Sequence, residues 1–212
     1  MTLEPDDIDR QFRRATLRTR QHWYEDGLAE LLIGAVFVVL ALYFAAQAYL
    51  QAGSGWPGGV FNLLLAALVV ALALAGRVLI VRAKERYVYP RTGFVRYARR
   101  FPRWLGGLLA GGIAGLTAAL FRTAPGLDAW IPALQGFVIG GFLFWQARFA
   151  GVARLYVLAM VSAIAGLVVS LLSLPSSQSG VAFFGAVGLA ALATGWAAFH
   201  RFLRDVPPPG DR

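Results

Sequence analysis

Six stretches of this 212-residue chain are apolar for long enough to cross a bilayer, and few folds accommodate that. A hydrocarbon core of about 30 Å needs roughly 20 residues at 1.5 Å each. The qualifying stretches are Leu28–Leu50, Val60–Val81, Trp104–Phe121, Trp130–Ala147, Leu155–Leu174 and Val181–Phe202. The third and fourth are the shortest. Between them Arg122-Thr-Ala-Pro-Gly-Leu-Asp128 is too polar to continue one helix. The expected fold class is an all-α membrane protein with six transmembrane helices in three hairpins.

Composition agrees. Apolar residues make up 58% of the chain and charged residues 15%, against about 25% charged in an ordinary soluble domain. A formal charge of +9 invites a nucleic-acid reading, but the basic residues are confined to the segments between apolar runs, so nucleic acid is not expected as a partner. The absence of cysteine excludes disulfides, zinc–thiolate sites, iron–sulfur clusters and thiol nucleophiles. No cofactor is expected.

The stretch Arg82–Trp104 orients the rest. It carries eight of the twenty basic residues, including the only lysine, Lys84, and a single acid, Glu85. With segment 1–27, Arg77, the Arg148–Arg154 turn and the tail, it places nineteen of the twenty basic residues on one side, leaving Arg122 alone on the other. Positively charged flanks stay in the cytoplasm. Both termini are therefore expected there, in a bacterial cytoplasmic membrane. Trp23, Trp56, Trp104, Trp130, Trp145 and Trp196 all fall at span ends or adjacent loops, where indole rings favour the headgroup region.

Three regions follow. Residues 1–27 form a cytoplasmic segment without a cleavable signal; Ile8, Phe12, Ala15 and Thr19 at helical spacing suit either an interfacial helix or a solvated one. Residues 28–202 form the six-helix domain, with the basic loop 82–103. Residues 203–212 form a Pro-rich tail. At an offset of 51, Ile113-Ala-Gly-Leu aligns with Ile164-Ala-Gly-Leu and Trp145 with Trp196, either a parallel duplication or chance similarity between apolar segments.

Small residues recur every four positions: Gly107, Gly111 and Gly115 in the third span, Gly136 and Gly140 in the fourth, Ser162, Gly166 and Ser170 in the fifth. This spacing grooves one helix face so that a second backbone approaches closely. Packing within the bundle is the favoured use; a homo-oligomer face and a lipid-tail groove are the others. Ionisable residues are absent from span centres. Glu30 and Arg77 lie near the same end of the first two spans and are expected to form a structural ion pair, with Arg77 snorkelling.

Catalytic patterns are weak. The chain has no phosphate-binding Gly-rich loop with a following lysine and no Gly-x-Ser-x-Gly. His22 and His200 are scattered, and His22 with Glu25 suits a solvated helix face better than a metal site. No enzymatic activity is expected.

The segment Arg86-Tyr-Val-Tyr-Pro-Arg-Thr-Gly-Phe-Val-Arg-Tyr97 has two β-prone arms around Pro90-Arg-Thr-Gly93. A type I turn fits that centre, so a small β-hairpin is expected, supported by Glu25, Asp26 and Glu30 because a lone hairpin is marginal. Arg86, Tyr87, Tyr89, Arg91, Arg96, Tyr97, Arg99 and Arg100 are the candidate contacts to anionic headgroups or a protein partner. The segments Trp23-Tyr-Glu-Asp-Gly-Leu-Ala-Glu30 and Tyr89-Pro-Arg-Thr-Gly93 resemble those of uncharacterised multi-pass bacterial membrane proteins. The resemblance covers about the first hundred residues and implies no activity. The expected function is non-enzymatic binding of a partner or anionic lipid through the basic loop; the alternative is a small transporter or channel for a neutral or lipophilic solute.

Overall fold

The computed structural model describes residues 24–54, 58–92 and 127–206. Five long helices lie among them: α1 (Leu28–Ser54), α2 (Gly58–Ala83), α3 (Ile131–Ala150), α4 (Ala153–Leu171) and α5 (Ser176–Asp205). Six helices were the expectation, and the third span, Trp104–Phe121, falls outside the described residues. Four helical stretches are long and apolar enough to cross a bilayer, Leu28–Gln51, Val60–Val88, Ala153–Leu171 and Ser176–Asp205, as in a membrane-embedded protein. α3 is less apolar because Gln135, Gln146 and Arg148 interrupt it.

The expected β-hairpin is corrected. Its first arm continues α2 as a π-helical turn, Lys84–Val88, and then a short α-helical turn, Tyr89–Thr92; the other arm lies outside the described residues. Extending a nucleated helix fixes one residue per bond gained, which a new hairpin does not match. Pro90 explains the π geometry. In an α-helix its ring would meet the carbonyl four residues back. Here the Tyr89 N–H reaches the Lys84 carbonyl five residues back, widening the turn just before the proline. The same widening leaves Lys84 and Val88 buried while Arg86 and Tyr87 stay exposed.

The helices pack antiparallel in two close pairs, α1 with α5 and α3 with α4; α4 against α5 joins them, and α2 leans on α1 at the edge. The tight α3–α4 reversal is local chemistry. Gly151 adopts the left-handed conformation (φ 68°), and the N–H groups of Gly151 and Val152 return to the Ala147 carbonyl at 2.8 and 3.3 Å, satisfying carbonyls that a helix end leaves open. One apolar cluster joins α3, α4 and α5 through Leu143, Leu155, Leu158 and Ala191. A second joins α1 and α5 around Phe183 and Phe184, with Phe44 stacked on Phe184 at 5.6 Å. Leu65, Leu68 and Leu72 of α2 rest on it, while Leu63, Val70 and Leu74 face outward.

The connections give the bundle two distinct ends. At one end α1 and α4 begin and α2, α3 and α5 finish, and the charged side chains gather there; this is the basic end. The described chain leaves it at Thr92 and resumes at Leu127, at the other end.

Candidate functional site

Five helices meet around a buried charge cluster at the basic end. Asp26 and Glu30 lie at the start of α1, where the amide dipoles favour anions. Asp26 Oδ1 accepts the Leu28 N–H at 3.0 Å and opens the helix. Gly27 between them has φ 69°, and a Cβ there would lie 2.5 Å from the Gly195 carbonyl oxygen, so α5 sits directly on this turn. The sequence Asp-Gly thus supplies both the cap and the close approach.

Two cations meet these acids from other helices. Lys84, on the π turn after α2, places Nζ 2.7 Å from Asp26 Oδ2, with both side chains all but inaccessible. Arg154, in the first turn of α4, places Nε 2.6 Å from Glu30 Oε1 and also donates to the Tyr24 carbonyl. Arg154 is 26% exposed and Glu30 fully buried. Glu30 Oε2 has no hydrogen-bond partner among the described residues. The Tyr24 hydroxyl is bonded to Gln146 of α3, and burial pushes its phenol above the ordinary value, against the pull of Gln146 and with the push of the Glu30 charge. From α5, Gly195 closes the cluster: a Cβ there would lie 2.7 Å from the Leu31 nitrogen.

Arg77 is not the partner of Glu30. At that level Gly76 is the inward residue, against Leu32, so Arg77 lies one position round the helix and is exposed. The loop's Lys84 reaches Asp26 instead, and Arg154, distant in sequence, takes Glu30. A chain-order reading pairs the two arms of one hairpin and so misses Arg154, which lies on the fifth span. Its one sequence signal is an arginine opening an otherwise apolar helix.

The loop residues divide. Arg86 is exposed, its guanidinium 5.9 Å from the Tyr87 ring centroid, and Tyr87 meets Phe199 of α5 edge-on at 6.0 Å. Tyr89 is partly buried, and Arg91 belongs to the last helical turn. Arg96, Tyr97, Arg99, Arg100, Gly107, Gly111 and Gly115 lie outside the described residues, as does the start of the aligned repeat. Gly136 and Gly140 line the α3–α4 contact: a Cβ on Gly136 would stand 2.5 Å from the Ser162 carbonyl oxygen, and one on Gly140 2.8 Å from that of Ala159. Gly34 and Gly188 do the same between α1 and α5.

Among the described residues, three of the four carboxylate oxygens of the cluster accept a hydrogen bond and Glu30 Oε2 does not. The cluster's two acids are spent on two buried or half-buried cations, so the surface around it is left basic: Arg77, Arg82, Arg86, Arg148, Arg201 and Arg204 are exposed, against Glu25, Glu85 and Asp205. Among the described residues no three His, Asp or Glu side chains gather to hold a metal ion. Comparison of the chain with protein-family models, curated proteins and solved structures returns no match.

Proposed function

We propose that this is a non-enzymatic integral membrane protein whose basic end binds anionic lipid headgroups. The observation that carries the reading is the sorting of charge at that end. Asp26 and Glu30 are buried and paired, while Arg82, in the last turn of α2, and Arg86, on the π turn beside Tyr87, are exposed. Exposed cations where an apolar helix leaves the bilayer attract anionic headgroups at about 1 kcal/mol each. Trp196 is exposed next to Gly195, level with Glu30 and Leu31, where an indole suits the headgroup region. By the same charge rule the basic end faces the cytoplasm of a bacterium.

A path for a neutral solute along the Gly-lined helices has less support, because the facing backbone already fills the space beside Gly136, Gly140 and Gly166. The test is lipid retention in nanodiscs. At neutral pH the full chain should retain phosphatidylglycerol in preference to phosphatidylcholine, and Arg82→Gln with Arg86→Gln should reduce that preference at unchanged thermal stability. Equal retention of the two lipids by the wild-type protein overturns the reading.

A further inference from the structure

The extension of α2 and the last turns of α5 meet along a seam at the basic end. Tyr87 lies edge-on to Phe199 at 6.0 Å, and Val88 packs with Phe202 in an apolar cluster that also takes in Ala83 and Leu203. Both banks of the seam carry exposed basic side chains. On the α2 bank these are Arg82 and Arg86, with the Arg86 guanidinium 5.9 Å from the centre of the Tyr87 ring. On the α5 bank they are His200 and Arg204, each one residue beyond a side chain that packs toward α2, Phe199 and Leu203 respectively. A helix turns about 100° per residue, so His200 and Arg204 flank the seam rather than fill it. Arg201, two residues past Phe199, falls on the far side of α5.

The nearby acids cancel only part of this charge. Asp205 lies 3.7 Å from Arg204, but both side chains are well exposed and water screens the pair. Glu85 is exposed on the α2 bank and offsets one of its two arginines. Toward the bilayer the surface is apolar and open, since Val78, Leu79 and Val81 of α2 and Trp196 of α5 are exposed.

We propose that this seam binds a lipid carrying two phosphates on one glycerol bridge, one phosphate at Arg82 and Arg86 and the other at His200 and Arg204. The inference rests on the lipid-binding reading above and names the lipid class that the same surface takes. Two sets of donors on either side of one aromatic contact suit two phosphates better than one. A guanidinium holds phosphate oxygens through paired N–H bonds, and even a neutral imidazole has one N–H to donate. When both phosphates belong to one molecule, binding of the second becomes an intramolecular step and affinity rises without any new contact. Two single-phosphate lipids gain nothing of the kind. Basic positions between membrane helices on the cytoplasmic side are suited to such headgroups.

The experiment holds the full chain in phosphatidylcholine mixed micelles near neutral pH. Cardiolipin and phosphatidylglycerol are compared at equal phosphate by displacement of a fluorescent phosphatidylglycerol. Cardiolipin should reach half-displacement at a phosphate concentration about tenfold lower or less, the direction that linking two sites dictates. His200→Ala with Arg204→Ala should bring the two lipids together, whereas Arg201→Ala should keep them apart. Arg82→Gln with Arg86→Gln should weaken both. Inorganic pyrophosphate, two phosphates without acyl chains, should displace nothing. The inference is overturned by equal half-displacement in the wild type, by an advantage that survives His200→Ala with Arg204→Ala, by its loss in Arg201→Ala, or by displacement with pyrophosphate. None of these outcomes touches the preference for phosphatidylglycerol over phosphatidylcholine. If neither anionic lipid binds better than phosphatidylcholine, the lipid-binding reading falls and the inference with it. The wild-type comparison decides even where a variant fails to fold.

Discussion

Lys84 Nζ lies 2.7 Å from Asp26 Oδ2 in a site sealed from solvent, joining the extension of α2 to the first turn of α1. The chain's only lysine is thus spent inside the protein. Removing one partner of such a pair leaves an uncompensated buried charge, which costs about 3–5 kcal/mol. Lys84→Met should lose about that much.

Asp26→Asn is the informative partner variant. Asn keeps an oxygen for the Leu28 N–H, so its loss reports the ion pair rather than the helix cap. The double variant should be less destabilised than the sum of the two singles, because both charges have gone. Equilibrium unfolding in mixed micelles measures all three; strict additivity would show that the pair is not coupled.

Glycine positions separate by what faces them. A Cβ on Gly34 would stand 2.7 Å from the Leu192 nitrogen and 2.9 Å from the Gly188 carbonyl oxygen, both backbone atoms held in α5. Gly34→Ala therefore pushes the two helices apart and should lose about 1–3 kcal/mol, the range for overpacking. Gly141, one residue from the tightly packed Gly140, has nothing within 4 Å. Gly141→Ala should be neutral or gain up to about 1 kcal/mol from helix propensity. Thermal melting in detergent distinguishes them; equal losses would mean that the α1–α5 contact is looser than its geometry.

What could be read from the sequence is what is local. Hydropathy and length mark the bodies of α1, α2, α4 and α5, since a span needs only enough consecutive apolar residues. Partner choice is not local. Arg77 and Arg154 are both arginines near the basic end, and only the register of α2 and α4 against α1 decides that Arg154 meets Glu30. The loop after α2 misleads because Tyr87, Val88 and Tyr89 are β-prone, yet a helix already formed carries them along as far as Pro90 permits. The glycines divide in the same way. A spacing of four exposes Gly136 and Gly140, whereas Gly27 with Gly34 and Gly188 with Gly195 recur at seven. Seven is the interval that keeps small residues on one seam of two long, nearly aligned helices.

The serines of α4 provide the sharpest contrast within one interface. Ser170 Oγ accepts the Ala133 N–H at 2.9 Å. Ala133 is in the first turn of α3, where N–H groups must look outside the helix for acceptors. Ser162 Oγ donates to the Gly136 carbonyl at a longer 3.2 Å, and that carbonyl sits well inside α3, where the helix itself supplies a donor. Both serines are buried and both lose one hydroxyl on conversion to alanine. Ser170→Ala leaves a buried donor wanting and should cost about 1–3 kcal/mol. Ser162→Ala removes donor and hydroxyl together from an acceptor already served, and should cost under about 1 kcal/mol. If Ser162→Ala proved the more damaging in unfolding from mixed micelles, the α3–α4 contact would owe more to side-chain bonding across the Gly136 groove than to the close approach of its two backbones.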